Sequence, residues 1–185
     1  MGKNAGKIIA IALTLLVILS GCGRKKSPEE MRETGQVLKN FTMQFFDTSF
    51  SITLTGLAAE KNSANTQATV SKPAIEIKSR NFIVEIKTGA RGTGEIFLDP
   101  ETQDVTKIVI QNSVSIIQRI PETNQINFSA TCERLTYLEK EGTIIMDGSP
   151  VVTQGTNQYG ADRITYSFKE NKLKFDGNVK VRFNK

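Results

Sequence analysis

The 185-residue chain contains no histidine, no tryptophan and only two cysteines. Without imidazole there is no Ser-His-Asp triad, no Cys-His pair and no His-based zinc site, and two thiols cannot build a four-thiolate cage. No G-x-S-x-G segment occurs either. The carboxylates that remain, such as Asp147, Asp162 and Asp176, are scattered, and Asp147 and Asp176 each precede a glycine, as turn residues do. The composition speaks against an enzyme, and neither a metal nor a cofactor is expected. A basic stripe interleaved with aromatics is also missing, so nucleic acid is a poor partner. What is present is ordinary for one globular domain: 38% apolar and 23% charged residues.

The longest apolar run lies at the start. Lys3 and Lys7 precede Ile8 to Leu19, in which Thr14 is the only residue that is not apolar. This run is short of the roughly 20 residues a membrane span needs and fits the hydrophobic core of a secretory signal. It ends in Leu19, Ser20, Gly21, Cys22, which resembles a bacterial lipobox. Residues 1–21 are therefore expected to be a cleaved lipoprotein signal, with Cys22 acylated and holding the chain to a membrane; a plain signal anchor with an incidental cysteine is the other reading. Cleavage would remove two of the 24 basic residues and leave 22 against 19 acidic ones. Residues 22–40, with Ser27, Pro28 and the charged run Glu29, Glu30, Arg32, Glu33, read as a tether. Arg24, Lys25 and Lys26 either touch anionic headgroups or are simply solvated. Cys132, the second thiol, sits in a strand-like run and is expected to be buried.

From Phe41 to the end the apolar period is two. Phe41, Met43 and Phe45 alternate, as do Phe50, Ile52 and Leu54, then Ile75 and Ile77, Phe82, Val84 and Ile86, Ile108 and Ile110, Val114 and Ile116, and Ile126, Phe128 and Ala130. Alternation bounded by Gly, Pro, Asn and Asp marks half-buried antiparallel strands, and no long window keeps a period of 3.6. Residues 41–185 are expected to form one all-β domain.

This domain carries an internal repeat. Cys132 to Gln154 aligns with Ala161 to Phe183 without a gap and with eight identities: Arg134/Arg163, Thr136/Thr165, Tyr137/Tyr166, Lys140/Lys169, Glu141/Glu170, Asp147/Asp176, Gly148/Gly177 and Val152/Val181. Each unit reads as strand, charged turn, strand, Asp-Gly corner, strand, and a degenerate earlier copy runs through Glu95 to Ile116, with Gln111 to Val114 in the corner's place. A unit this small cannot bury an apolar face alone, so copies must stack. By parity Leu135, Tyr137, Ile144, Met146, Ile164, Tyr166, Leu173 and Phe175 share one face, while Arg134, Thr136, Arg163 and Thr165 share the other. Alternation alone fits a sealed sandwich at least as well as an open groove.

The second unit, Ala161, Asp162, Arg163, Ile164, Thr165, Tyr166 followed by Leu173, Lys174, Phe175, Asp176, Gly177, Asn178, Val179, Lys180, Val181, resembles the repeat of the OstA-like family of periplasmic lipopolysaccharide (LPS) transport proteins, which includes LptA-like and LptC-like members. The resemblance is specific over residues 130–183 and looser over 41–129; the lipobox departs from the family pattern. It implies a rolled antiparallel sheet, a β-taco or β-jelly-roll, whose open apolar groove takes lipid A acyl chains. The eight residues of the apolar face become groove candidates. An open-ended rolled sheet leaves edge strands that usually pair with a partner, so the last strand, with Val179, Lys180, Val181 and Arg182, is a candidate edge for pairing with other OstA-like or Lpt proteins. The function implied is an LPS-binding and transfer component of an export bridge. It would sit in the periplasm, lipid-anchored to the inner or outer membrane of a Gram-negative-type bacterium. The competing reading is a structural or adhesive surface lipoprotein built on a sealed sandwich.

Overall fold

The computed structural model describes residues 37–46 and 49–183. Cys22, the segment read as signal and residues 22–36 of the segment read as tether lie outside them, whereas Val37 to Asn40, also read as tether, begin the first strand. The described residues form fourteen strands and no helix. In chain order these are β1 (Val37–Phe46), β2 (Phe50–Lys61), β3 (Gln67–Ser71), β4 (Ala74–Ser79), β5 (Ile83–Thr88), β6 (Thr93–Leu98) and β7 (Val105–Arg119). They continue as β8 (Ile126–Leu138), β9 (Thr143–Asp147), β10 (Val151–Gln154), β11 (Asn157–Gly160), β12 (Arg163–Ser167), β13 (Lys172–Asp176) and β14 (Lys180–Arg182). All belong to one antiparallel hydrogen-bonded network.

The pairings show how the sheet doubles over. A long strand pairs with two different short strands along its length: β2 uses residues 50–55 for β4 and 58–61 for β3, and β7 uses 105–111 for β6 and 114–119 for β5. Likewise β8 gives residues 129–131 to β10 and 134–138 to β9. Each long strand, or each pair of short strands joined by a corner, is thus one folded rung with half in each of two arms. The first arm holds β4, β5, β10, β11 and β14; the second holds β3, β6, β9, β12 and β13. The stack begins at β1, which pairs only with β2, and ends at β13 and β14, which pair only with β12 and β11 among the described residues.

Chemistry at the corners explains why the sheet bends there. Lys72 between β3 and β4, and Asn112 with Ser113 inside β7, have positive φ, which breaks the pleat. In the repeats the corner is Asp-Gly. Gly148 has φ +78 and Gly177 has φ +87. A Cβ on Gly148 would come within 2.7 Å of the Glu133 Cβ, and one on Gly177 within 2.6 Å of the Asp162 Cβ. Glycine is thus required twice over, for its backbone angle and for the space it leaves. The turn expected from Asp-Gly is real, but it does not close a hairpin between neighbours; it carries the chain from β9 in one arm to β10 in the other, and from β13 to β14. Sequence gives the local conformation and leaves open which strands it joins.

Period-two alternation becomes two sets of rows facing each other across the fold. On the first arm Leu54, Ile75, Ile86, Ile116, Ala130 and Val152 lie side by side, followed by Tyr159 and Val181. On the second, Ile110, Leu135, Met146, Ile164 and Phe175 form one row and Ile108, Tyr137, Ile144, Tyr166 and Leu173 another. Side chains from opposite arms touch. Phe82 of the β4–β5 turn stacks on Phe168 of the β12–β13 turn at 5.6 Å, and Phe128 of β8 meets Tyr166 of β12 edge-on at 5.3 Å.

Candidate functional site: the interior between the arms

The eight groove candidates all occupy the inner rows of the second arm. Six of them, Leu135, Tyr137, Ile144, Met146, Ile164 and Tyr166, are at most 2% exposed. Leu173 and Phe175 are half-buried because they belong to the last rung, with no further strand stacked beyond them among the described residues. The centre of the interior is filled by Phe168, whose ring lies 5.3 Å from Tyr166, 5.5 Å from Phe50 and 6.1 Å from Tyr137, besides its stack on Phe82. The space left lies along the mouth between the lips of the arms. One cavity, of about 690 Å³, is bordered by Phe45, Ile52, Val105 and Tyr137. A second, of about 430 Å³, lies over Phe50, Phe82 and Phe168. A third, of about 370 Å³, opens at the last rung among Phe128, Tyr159, Leu173 and Phe175.

One polar cluster interrupts the apolar rows. Gln118, 1% exposed, takes an inner position on β7 and donates from Nε2 to the Tyr166 hydroxyl (3.2 Å) and to Asn171 Oδ1 (3.1 Å). Its Oε1 accepts from Asn127 at 2.6 Å, and Tyr166 donates to Asn171 Oδ1 at 2.7 Å. The amides of one arm thereby tie to the phenol and amide of the other beside the third cavity. Burial pushes the Tyr166 phenol above its ordinary range, so it remains a neutral donor. Cys132 is buried as expected, and burial, helped by the charges of Asp147 and Glu133, pushes its thiol up to about 12. No group of three or more potential ligands suited to a metal ion occurs among the described residues.

The fold and its interior can be set beside known proteins. The family model described as the LptA/(LptD N-terminal domain) LPS transport protein matches residues 57–172, more than half of the chain. The chain belongs to this family. Its fold is similar to the crystal structure of LptH, described as the LptA-homologous periplasmic component of the conserved LPS transport device of Pseudomonas aeruginosa, with a TM-score of 0.54. The similarity covers 72% of this chain and 95% of that one at 10% identity, so it speaks for the fold. No curated protein matches the chain. The rolled β-jelly-roll that the resemblance implied is the observed architecture.

Within this family member the polar face of the repeat lies on the outside. Arg163 donates from Nε to Asp147 Oδ1 at 2.7 Å, an interaction that raises its guanidinium pKa further, and Arg134 lies beside Asp147 in the register. By parity both arginines lie on the outer face, away from the inner rows. Asp162 has a structural task, accepting from the Asn178 backbone N–H at 3.1 Å across the corner. Lys180, Val181 and Arg182 form β14, whose free edge is exposed, and Val179 just precedes it at 49% exposure. Sequence reasoning missed Phe168. The repeat pairs it with Glu139, so self-similarity does not mark it, although it continues the alternation of Ile164 and Tyr166.

Proposed function

We propose that this chain is a periplasmic LPS-binding and transfer component of an LPS export bridge, held to a membrane through acylated Cys22. Membership of an LPS transport family supports the substrate class. The observation that carries the reading is the pair of apolar row sets that run the length of the folded sheet and end uncovered at the last rung. There Leu173 and Phe175 are half-buried, Val181 is 45% exposed and Phe183 is 73% exposed. Each methylene withdrawn from water contributes about 0.8 kcal/mol, so an acyl chain keeps to a continuous dry path and resists crossing water. Acyl chains occupy the space between the arms, displacing the contacts around Phe168, and move on along the inner rows. Transfer of this kind needs no bond to be made or broken.

Hand-over uses the ends of the stack. β1 at one end and β13 with β14 at the other carry unpaired backbone edges among the described residues, and a second OstA-like sheet added there extends the inner rows without a gap. Lys180 and Arg182, interleaved with the apolar residues, deter indiscriminate pairing and favour an acidic counterpart. N–H direction alternates along a strand, so Val181→Pro and Arg182→Pro remove donors on opposite sides of β14. Native mass spectrometry of the full chain with LPS and an LptA-like partner tests both parts. A retained LPS molecule is expected, together with loss of the partner complex in one of the two proline variants while its LPS adduct persists. Absence of any LPS adduct in the parent chain refutes the transport reading; unchanged partner binding in both variants refutes assembly through β14.

A further inference from the structure

The mouth cavity above Phe50, Phe82 and Phe168 has a rim that the transport reading does not use. Arg80 stands on it from the β4–β5 turn of the first arm, and Lys140 and Lys169 from the β8–β9 and β12–β13 turns of the second. All three are exposed, and none is in an ion pair with an acidic group among the described residues. The two lysines are equivalent in the tandem repeat, and β9 pairing with β12 brings their turns together. A hydrogen bond from the Phe168 N–H to the Gly142 carbonyl at 3.0 Å fixes one turn against the other. Glu139 and Glu141 share the same rim.

We infer that this rim is a headgroup site for a phosphorylated glycolipid, with Arg80, Lys140 and Lys169 taking phosphate oxygens above the aromatic floor. The inference rests on the LPS-binding reading and adds where, and by which groups, the polar end is recognised. Three points support it. The cations come from both arms, so one anionic group set between the lips meets charge on either side. Directly below lies the aromatic interior, the boundary at which an amphiphile changes from polar to apolar. The rim also holds both signs: cations suit phosphate, and carboxylates accept hydrogen bonds from sugar hydroxyls, a combination that a plain phosphate ester does not need. The outer-face arginines satisfy none of these, since Arg163 is committed to Asp147.

The test compares the full chain with the triple variant Arg80→Gln/Lys140→Gln/Lys169→Gln and with a charge-matched variant of exposed residues elsewhere, Lys78→Gln/Lys87→Gln/Arg134→Gln. Binding is titrated with LPS, with the same LPS after enzymatic removal of phosphate, with a glycerophospholipid and with inorganic phosphate alone. The rim variant is expected to lose at least about tenfold in affinity for phosphorylated LPS and little for the dephosphorylated form. The charge-matched variant is expected to bind like the parent. Glycerophospholipid and inorganic phosphate are expected to bind the parent at least about tenfold more weakly than LPS. Equal losses in the two variants, or a rim variant that binds phosphorylated LPS as the parent does, overturn the headgroup site while leaving the transport reading in place. Inorganic phosphate binding as tightly as LPS makes this a free-anion site and overturns the lipid assignment. A parent chain that binds neither form of LPS sinks both.

Discussion

Phe168→Ala is the substitution that most directly probes what keeps the two arms together. The ring is 5% exposed and sits among Phe50, Phe82, Tyr137 and Tyr166 at centroid distances of 5.3 to 6.1 Å, with residues of both arms around it. Truncating a buried phenylalanine to alanine costs about 3–5 kcal/mol, from lost transfer free energy and the cavity left behind. The ring contacts on several sides place this site in the middle of that range, at about 4 kcal/mol. A domain stable by roughly 5–15 kcal/mol would remain folded but much weakened. Urea unfolding followed by circular dichroism measures the difference, with Phe183→Ala as control: that side chain is 73% exposed, and its loss should change stability by under about 0.5 kcal/mol. A double-mutant cycle with Phe82→Ala isolates the inter-arm stack, for which a coupling of about 0.5–1.5 kcal/mol is expected. If Phe168→Ala costs less than about 1 kcal/mol, or the cycle shows no coupling, the arms are not held by this ring and the closed interior described above is wrong.

Two further predictions concern the corner and the buried thiol. Gly148→Ala should destabilise more than Gly142→Ala: both glycines have positive φ, which costs about 1 kcal/mol for alanine, but only at Gly148 does the new methyl meet the Glu133 Cβ, whereas nothing lies within 4 Å at Gly142. Equal denaturation midpoints for the two variants contradict this. Cys132 should make stability fall in alkali. Folding raises its pKa from 9.0 to about 12, so above pH 9 the unfolded chain releases a proton that the folded chain keeps, and stability declines as pH rises through that window. Replacement by alanine should flatten the decline, as read from denaturant midpoints between pH 8 and about 11; an unaltered slope refutes the assignment.

Much of this was legible in the sequence, for particular reasons. Alternation identifies the inner rows because a side chain's face is set by parity alone, and the repeat shows that Asp147-Gly148 and Asp176-Gly177 do the same work. Parity does not say how much of a row stays open. Tyr137 and Leu173 share a face, yet one is sealed and the other half-buried, because burial depends on how many rungs lie beyond and on what the opposite arm supplies. Corners were legible as turns and illegible as arm crossings, since positive φ fixes a local bend and long-range register decides the partner. Lys140 and Lys169 were legible as repeat equivalents, but not as one rim with Arg80, because only the folding of one arm over the other brings three separate turns together.

The central claim is that acyl chains lie between the arms, and a photo-crosslinker moved by one residue tests it most directly. Phe175 and Leu173 face the interior at the open last rung, and Lys174 between them is exposed on the outer face, so one strand provides both the probe and its control. With the crosslinker at Leu173 or Phe175, irradiation in the presence of LPS is expected to yield a lipid-linked product, and at Lys174 none. Capture from all three positions alike, or from Lys174 alone, would contradict an acyl-binding interior.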